Sequence, residues 1–240
     1  MRIRRLFVMT SVVLTLSCYA CRGDEHIPKH LADAREIVQH LDLSNTNYEH
    51  GEGHIVWVGT RESHTDCSGF VDLLLSRCYG YDRADYKKWF NSHRPSAARY
   101  HDAIVEQIGF SSIPRIHDVR PGDFLAVKYL KRKDNTGHVM LVAETPRRMN
   151  PKKPLIDRTE QWEVGVIDSS QSGHGPTDTR HKKGKNGKDH DGLGHGMVRI
   201  YANHDGDIAG FTWSTLEVSE FKDPADEPMV IGRLKPQFKP

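Results

Sequence analysis

HTDCSGFVDLLL, residues 64–75, places one cysteine between an aspartate and a Ser-Gly pair, and an apolar run begins directly behind it. Asp66 has the short acceptor side chain that caps helices, and Val71, Leu74 and Cys78 continue one stripe beneath Cys67. The stretch therefore predicts a helix with Cys67 in its first turn. There the unpaired backbone N–H groups and the macrodipole favour negative charge, so the position suits a reactive thiolate. Gly69 allows close approach of backbone or substrate. A disulfide to Cys78 fails on geometry. Eleven helical steps separate the two Cα atoms by about 16 Å, against the roughly 7 Å a disulfide tolerates. Cys78 reads as a small core residue.

Outward from this helix the pattern divides in two. On the N-terminal side, PKHLADAREIVQHLDL (28–43) carries Leu31, Ala34, Ile37, Val38 and Leu41 on one face, with Pro28 suited to a first turn. Residues 44–63 read as a loop around Ile55–Val58, and a further helix is expected over about 96–108. After Arg120-Pro121-Gly122-Asp123, a structural turn, the periodicity becomes that of strands. They are expected at 124–130, 138–144, 162–168, 197–202, 208–214 and 229–234. Helices first and an antiparallel sheet second indicate an α+β fold.

A nucleophilic cysteine needs a base, and the base an orienting partner. His138 opens one strand and Asp168 closes the next. If those strands pair antiparallel with aligned ends, Glu144 opposes Trp162 and His138 opposes Asp168 on one sheet face.

Asp66-Cys67-Ser68-Gly69-Phe70, Arg120-Pro121-Gly122-Asp123 entering a strand, and Gly137-His138-Val139 opening the next together resemble the NlpC/P60 family of papain-like cysteine peptidases, over roughly residues 45–170. The resemblance implies a papain-like fold with N-terminal helices packed on the sheet. It implies Cys67 as nucleophile, His138 as base and the residue at 168 as its orienting partner. Family members commonly carry His, Asn or Gln there, and this chain carries Asp168. Tyr48 is similar to a tyrosine the family places upstream of the cysteine. The implied substrate is a cell-wall peptide. Tyr48, Ser68, His174 and Arg180 are the expected substrate-binding residues, with Arg180 holding a substrate carboxylate. The alternatives are a catalytically silent binding module of the same fold, or an amidase or acyltransferase acting on another small amide or ester.

Length and composition fit this reading. The chain has 240 residues, 37% hydrophobic and 28% charged, enough for one ordinary domain. Its formal charge of +2 depends on Arg2, Arg4 and Arg5; without them acids outnumber bases by one, which argues against a nucleic-acid partner. Those arginines open MRIRRLFVMTSVVLTLSCYAC, the layout of an export signal over residues 1–20, with an apolar run too short for a permanent transmembrane anchor. A periplasmic or extracellular protein is expected, a lipoprotein through Cys18 or Cys21 being the alternative. Residues 25–240 then form a single catalytic domain with a long polar loop at 169–196. That loop holds His174, Asp178, Arg180, His181, Asp189, His190, Asp191 and His195, without the i, i+4 spacing or cysteine pair of a metal site. It is expected to roof the cleft. No metal or cofactor is expected, and nothing in the sequence specifies an oligomer.

Overall fold

The structure, a computed structural model, describes residues 27–181 and 189–240. The export segment and Lys182, Lys183, Lys185 and Lys188 lie outside the described residues. Along the chain run α1 (Lys29–His40), β1 (Thr46–Asn47), β2 (His54–Val56), β3 (Glu62–His64), α2 (Cys67–Tyr79), α3 (Arg83–Phe90) and α4 (Ala97–Val105). Then come β4 (Phe110–Ser112), β5 (Phe124–Lys128), β6 (Gly137–Val142), β7 (Arg147–Arg148), β8 (Glu160–Ser170), β9 (Gly192–Ala202), β10 (Ile208–Thr212) and β11 (Met229–Leu234). The chain is α+β. Its large sheet is antiparallel in the order β10-β9-β8-β6-β5-β11-β4, with β7 added to β8. Among the described residues no helix is long and apolar enough to cross a membrane.

Two apolar clusters divide at this sheet. One joins Leu31, Ala34 and Ile37 of α1 and Phe70, Val71, Leu74 and Leu75 of α2 to Val139, Leu141 and Ile167 of the sheet. The other gathers Leu125, Val127, Met140, Val142, Val164, Val166 and Val198 with Phe211. Alternate residues of β5, β6 and β8 thus feed opposite clusters, as a strand's two-residue period requires. Both faces are buried, so these strands read as continuous apolar runs.

Three expectations are corrected. The eight-residue α3 went unread because its apolar content is confined to Tyr86, Trp89 and Phe90. Its start is marked by a capping box in which Asp82 accepts from the Ala84 and Asp85 N–H groups and Asp85 reaches back. The loop expected at 44–63 holds β1, β2 and β3, short strands forming their own sheet in the order β1-β3-β2. The β6–β8 register is also displaced by two residues: Leu141 faces Ile167 and Val142 faces Val166. Trp162 opposes Arg148 of β7, not Glu144. Pro146, which has no N–H to contribute, lies in the break between β6 and β7. A slip of two keeps every side chain on its face, so His138 and Asp168 still share one.

Two hydrogen bonds join the small sheet to the large one beside the helix start. The Ser169 hydroxyl donates to the Thr65 carbonyl at 2.6 Å, and the Leu193 N–H donates to Thr46 Oγ1 at 2.8 Å. The end of β8 is thereby tied two residues ahead of Cys67.

Gly137 opens β6 at φ 146°, and a Cβ there would lie 1.9 Å from the Val127 carbonyl oxygen. Gly137→Ala is expected to destabilise the fold by about 2–4 kcal/mol in a denaturant titration, through strain and displacement of β5 from β6.

Candidate active site

Asp66 caps α2 as its side chain predicts: Oδ1 accepts the Gly69 N–H at 2.7 Å and the Ser68 hydroxyl at 3.3 Å. Its other oxygen accepts Arg94 Nη2 at 2.6 Å and His50 Nδ1 at 3.0 Å. Burial opposes ionisation of this carboxyl, but Arg94, the Gly69 N–H and His50 hold it below the usual range. A Cβ on Gly69 would meet Asp66 Oδ1 at 3.0 Å and Arg94 Nη2 at 3.3 Å. The glycine therefore makes room for the cap and its arginine.

Cys67 follows at the first helical position, 5% exposed and free. Its charge acts on His138, which stands on β6 opposite Val127 of β5. His138 Nε2 is engaged by Asp168 Oδ2 at 2.5 Å, which leaves Nδ1 as the nitrogen available to the sulfur. Its ring stands edge-on to Trp213, with centroids 5.4 Å apart. Burial works against the imidazolium, yet the negative charge of Cys67 and the bond to Asp168 raise the His138 pKa to about 10.

Asp168 is 0% exposed and is met by three side chains. His138 and His174 both use Oδ2, the latter at 2.7 Å, and Arg180 Nη2 reaches Oδ1 at 3.0 Å. Burial would raise this carboxyl, but His174, Arg180 and His138 hold it well below the usual range. Arg180 in turn is clamped by Asp178, whose Oδ1 accepts Nε at 2.8 Å and whose Oδ2 accepts Nη2 at 2.7 Å. Arg180 Nη1 donates to the Gly192 carbonyl at 3.0 Å.

This geometry corrects two expectations for the polar loop. Arg180 is 0% exposed and its donors are taken by Asp168, Asp178 and Gly192, so it is not placed to receive a substrate carboxylate. His174 is 3% exposed and bonded to Asp168 and the Trp213 carbonyl, so it too lies behind the site. Ser68 turns its hydroxyl to Asp66. Tyr48 is half-buried and edge-on to His50, and its hydroxyl pKa is raised by burial and by the charge of Cys67. The residues the sequence reading did not assign are Asp178, Arg94, His50 and Trp213. None lies in a spaced motif.

The ligand atoms of His138, Asp168 and His174 lie within 4.8 Å of one another, a spacing that could hold a metal ion. Asp168 Oδ2 is hydrogen-bonded to both histidines.

A thiol at a helix start, with a histidine that a buried carboxylate engages, is an arrangement suited to nucleophilic chemistry. The NlpC/P60 family pattern matches residues 52–164, a span that includes Cys67 and His138. An uncharacterized protein of Acanthamoeba polyphaga mimivirus, R653, is 36% identical over 228 residues, covering 88% of this chain and 98% of its own. No solved structure matches the chain. The chain belongs to the NlpC/P60 family, whose members are generally cysteine peptidases or amidases acting on peptidoglycan peptides.

His138 binds its proton more tightly folded than unfolded. Its contribution to stability is therefore complete below the ordinary histidine value of about 6.5 and is lost as pH rises through about 10. Asp168 has the opposite sign: its contribution is complete above the ordinary carboxylate range and is lost as pH falls below it. In Cys67→Ala the His138 resonance, followed by NMR, is expected to titrate lower than in the native chain, because the charge of Cys67 is the foremost contribution raising it. Asp168→Ala leaves Arg180 and His174 buried against a missing charge and should cost about 3–5 kcal/mol in stability.

Proposed function

We propose that the chain is an exported cysteine hydrolase of papain-like fold that cleaves an amide bond in cell-wall peptides. The observation that carries the reading is Cys67 at the start of α2, its charge acting on His138, whose Nε2 meets the buried Asp168 carboxylate at 2.5 Å. The export layout of residues 1–20 and the family's substrates support the choice of peptide.

In the first step the Cys67 thiolate attacks the amide carbonyl and an S–C bond forms. The C–N bond breaks as His138 gives its proton to the leaving amine. In the second step a water gives a proton to His138 and attacks the thioester, so that an O–C bond forms and the S–C bond breaks. Asp168 holds the imidazole in orientation and favours its charged form. The N–H of Gly69 is taken by the Asp66 carboxylate and that of Phe70 by the Asp66 carbonyl. The Cys67 and Ser68 N–H groups are the donors the helix itself does not use, and they are suited to the oxyanion. Trp213, edge-on to His138, is suited to serve as an apolar wall for substrate, with Tyr48 as a further substrate-binding side chain.

Iodoacetamide at mildly acidic pH should label Cys67 selectively, read by mass. Burial and the neighbouring Asp33 push the Cys78 thiol up to about 12, which makes it the internal control. His138→Ala should suppress the labelling. On isolated peptidoglycan peptides, Cys67→Ala should reduce release of amine by at least about 10³-fold. An inert Cys67 in a folded, reduced sample would transfer the assignment to a silent binding module. Turnover of simple esters with no action on the peptides would favour the amidase or acyltransferase.

A further inference from the structure

His174 has no part in the steps above, yet it is among the most constrained polar groups near them. It stands in the segment after β8, six residues from Asp168 and outside the stretch that matches the family pattern. Its Nε2 lies 2.7 Å from Asp168 Oδ2, the same oxygen that holds His138, and its Nδ1 lies 3.0 Å from the Trp213 carbonyl oxygen. Its backbone N–H donates to Asp178 Oδ2 at 2.7 Å. The ring is stacked on Trp213, and its centroid is 6.1 Å from that of His138. A carbonyl oxygen only accepts, and so does an ionised carboxylate. Both bonds are therefore made only when each ring nitrogen of His174 carries a proton.

We propose that His174 is a positioning residue that acts on the reaction through Asp168: it fixes the carboxylate oxygen that orients His138 and places a positive charge behind it. The charged and titratable groups around it are Asp168 from β8, Asp178 and Arg180 from the following segment, and His138 from β6. Arg180 is divided between Asp168 and Asp178. The proton on His174 is therefore what brings the cluster nearest to His138 into charge balance. It favours the thiolate of Cys67, and it lowers the pH at which His138 releases its own proton.

This inference rests on the Cys67–His138 reading, and the test separates the two. The rate of Cys67 labelling by iodoacetamide is measured across pH in the full chain, in His174→Phe and in His174→Gln, with thermal melting as the control for folding. The native profile has a lower limb, where the thiolate–imidazolium pair forms, and an upper limb, where His138 loses its proton. Removing a cation raises the pKa of every neighbouring group, so both limbs should move to higher pH in both variants. The rate at mildly acidic pH should fall about ten-fold in His174→Phe. His174→Gln, which retains an N–H for Asp168 without the charge, should move the limbs in the same direction and decides the matter if His174→Phe does not fold. Profiles that superimpose on the native one, with Cys67 still labelled in a His138-dependent way, overturn this role and leave the catalytic reading standing. Loss of His138 dependence in the native chain overturns both.

Discussion

A fully buried carboxylate imposes the strongest constraint on this structure. Asp168 sits at the end of the central strand β8 without solvent contact, and burying an isolated anion in an apolar interior is prohibitively unfavourable. It is tolerated because three donors meet it: His138 from β6, and His174 and Arg180 from the segment that follows its own strand. Arg180 carries the same difficulty in the opposite sign and is met by Asp178. The result is an alternating chain of basic and acidic groups running from His138 into the interior. Each member is held by the next.

That chain requires space, and β9 provides it. Gly194 and Gly196 alternate along the strand, so they present one face to the cluster. A Cβ on Gly194 would lie 2.7 Å from Arg180 Nε, and one on Gly196 would lie 2.1 Å from Asp178 Oδ2. The glycines are the imprint of the buried ion pairs on the neighbouring strand. Gly192 serves a different contact, since a Cβ there would meet Thr46 Oγ1 at 2.3 Å. The same strand thus accommodates both the brace behind Asp168 and the small sheet that leads into Cys67.

This explains which features were legible in the amino-acid order. Cys67 and its helix were readable because cap, apolar stripe and cysteine lie within a dozen adjacent residues. His138 and Asp168 were readable because each marks a strand end in an apolar run, and because the two-residue register error preserves the sheet face. The brace was not. Gly192 to Gly196 lowers strand propensity, so the first half of β9 read as part of a loop. The residues between Ser170 and Gly192 then read as a surface element carrying surface roles. Burial of Arg180 depends on partners twelve residues away along the chain, brought together by a hairpin whose second strand is legible only from residue 197 onward. Periodicity cannot report such a contact. Arg94 and His50 were missed for the same reason: their link to Asp66 is made across loops.

The aspartate at the third position and the unusual segment after it are best understood as one feature. A neutral histidine, asparagine or glutamine at the end of β8 can orient an imidazole by a single hydrogen bond and needs no counter-charge in the interior. A carboxylate stabilises the imidazolium more strongly, but one buried at 0% exposure stays ionised only if cations accompany it. In the proposed reaction His138 cannot serve alone, since its proton is transferred and the carboxylate must remain charged after it leaves. Arg180 meets that requirement because its guanidinium stays charged throughout, and Asp178 keeps it from moving. A chain that places Asp at this point therefore needs an additional cationic segment folded against the back of the site. Residues 171–181 are built to that requirement.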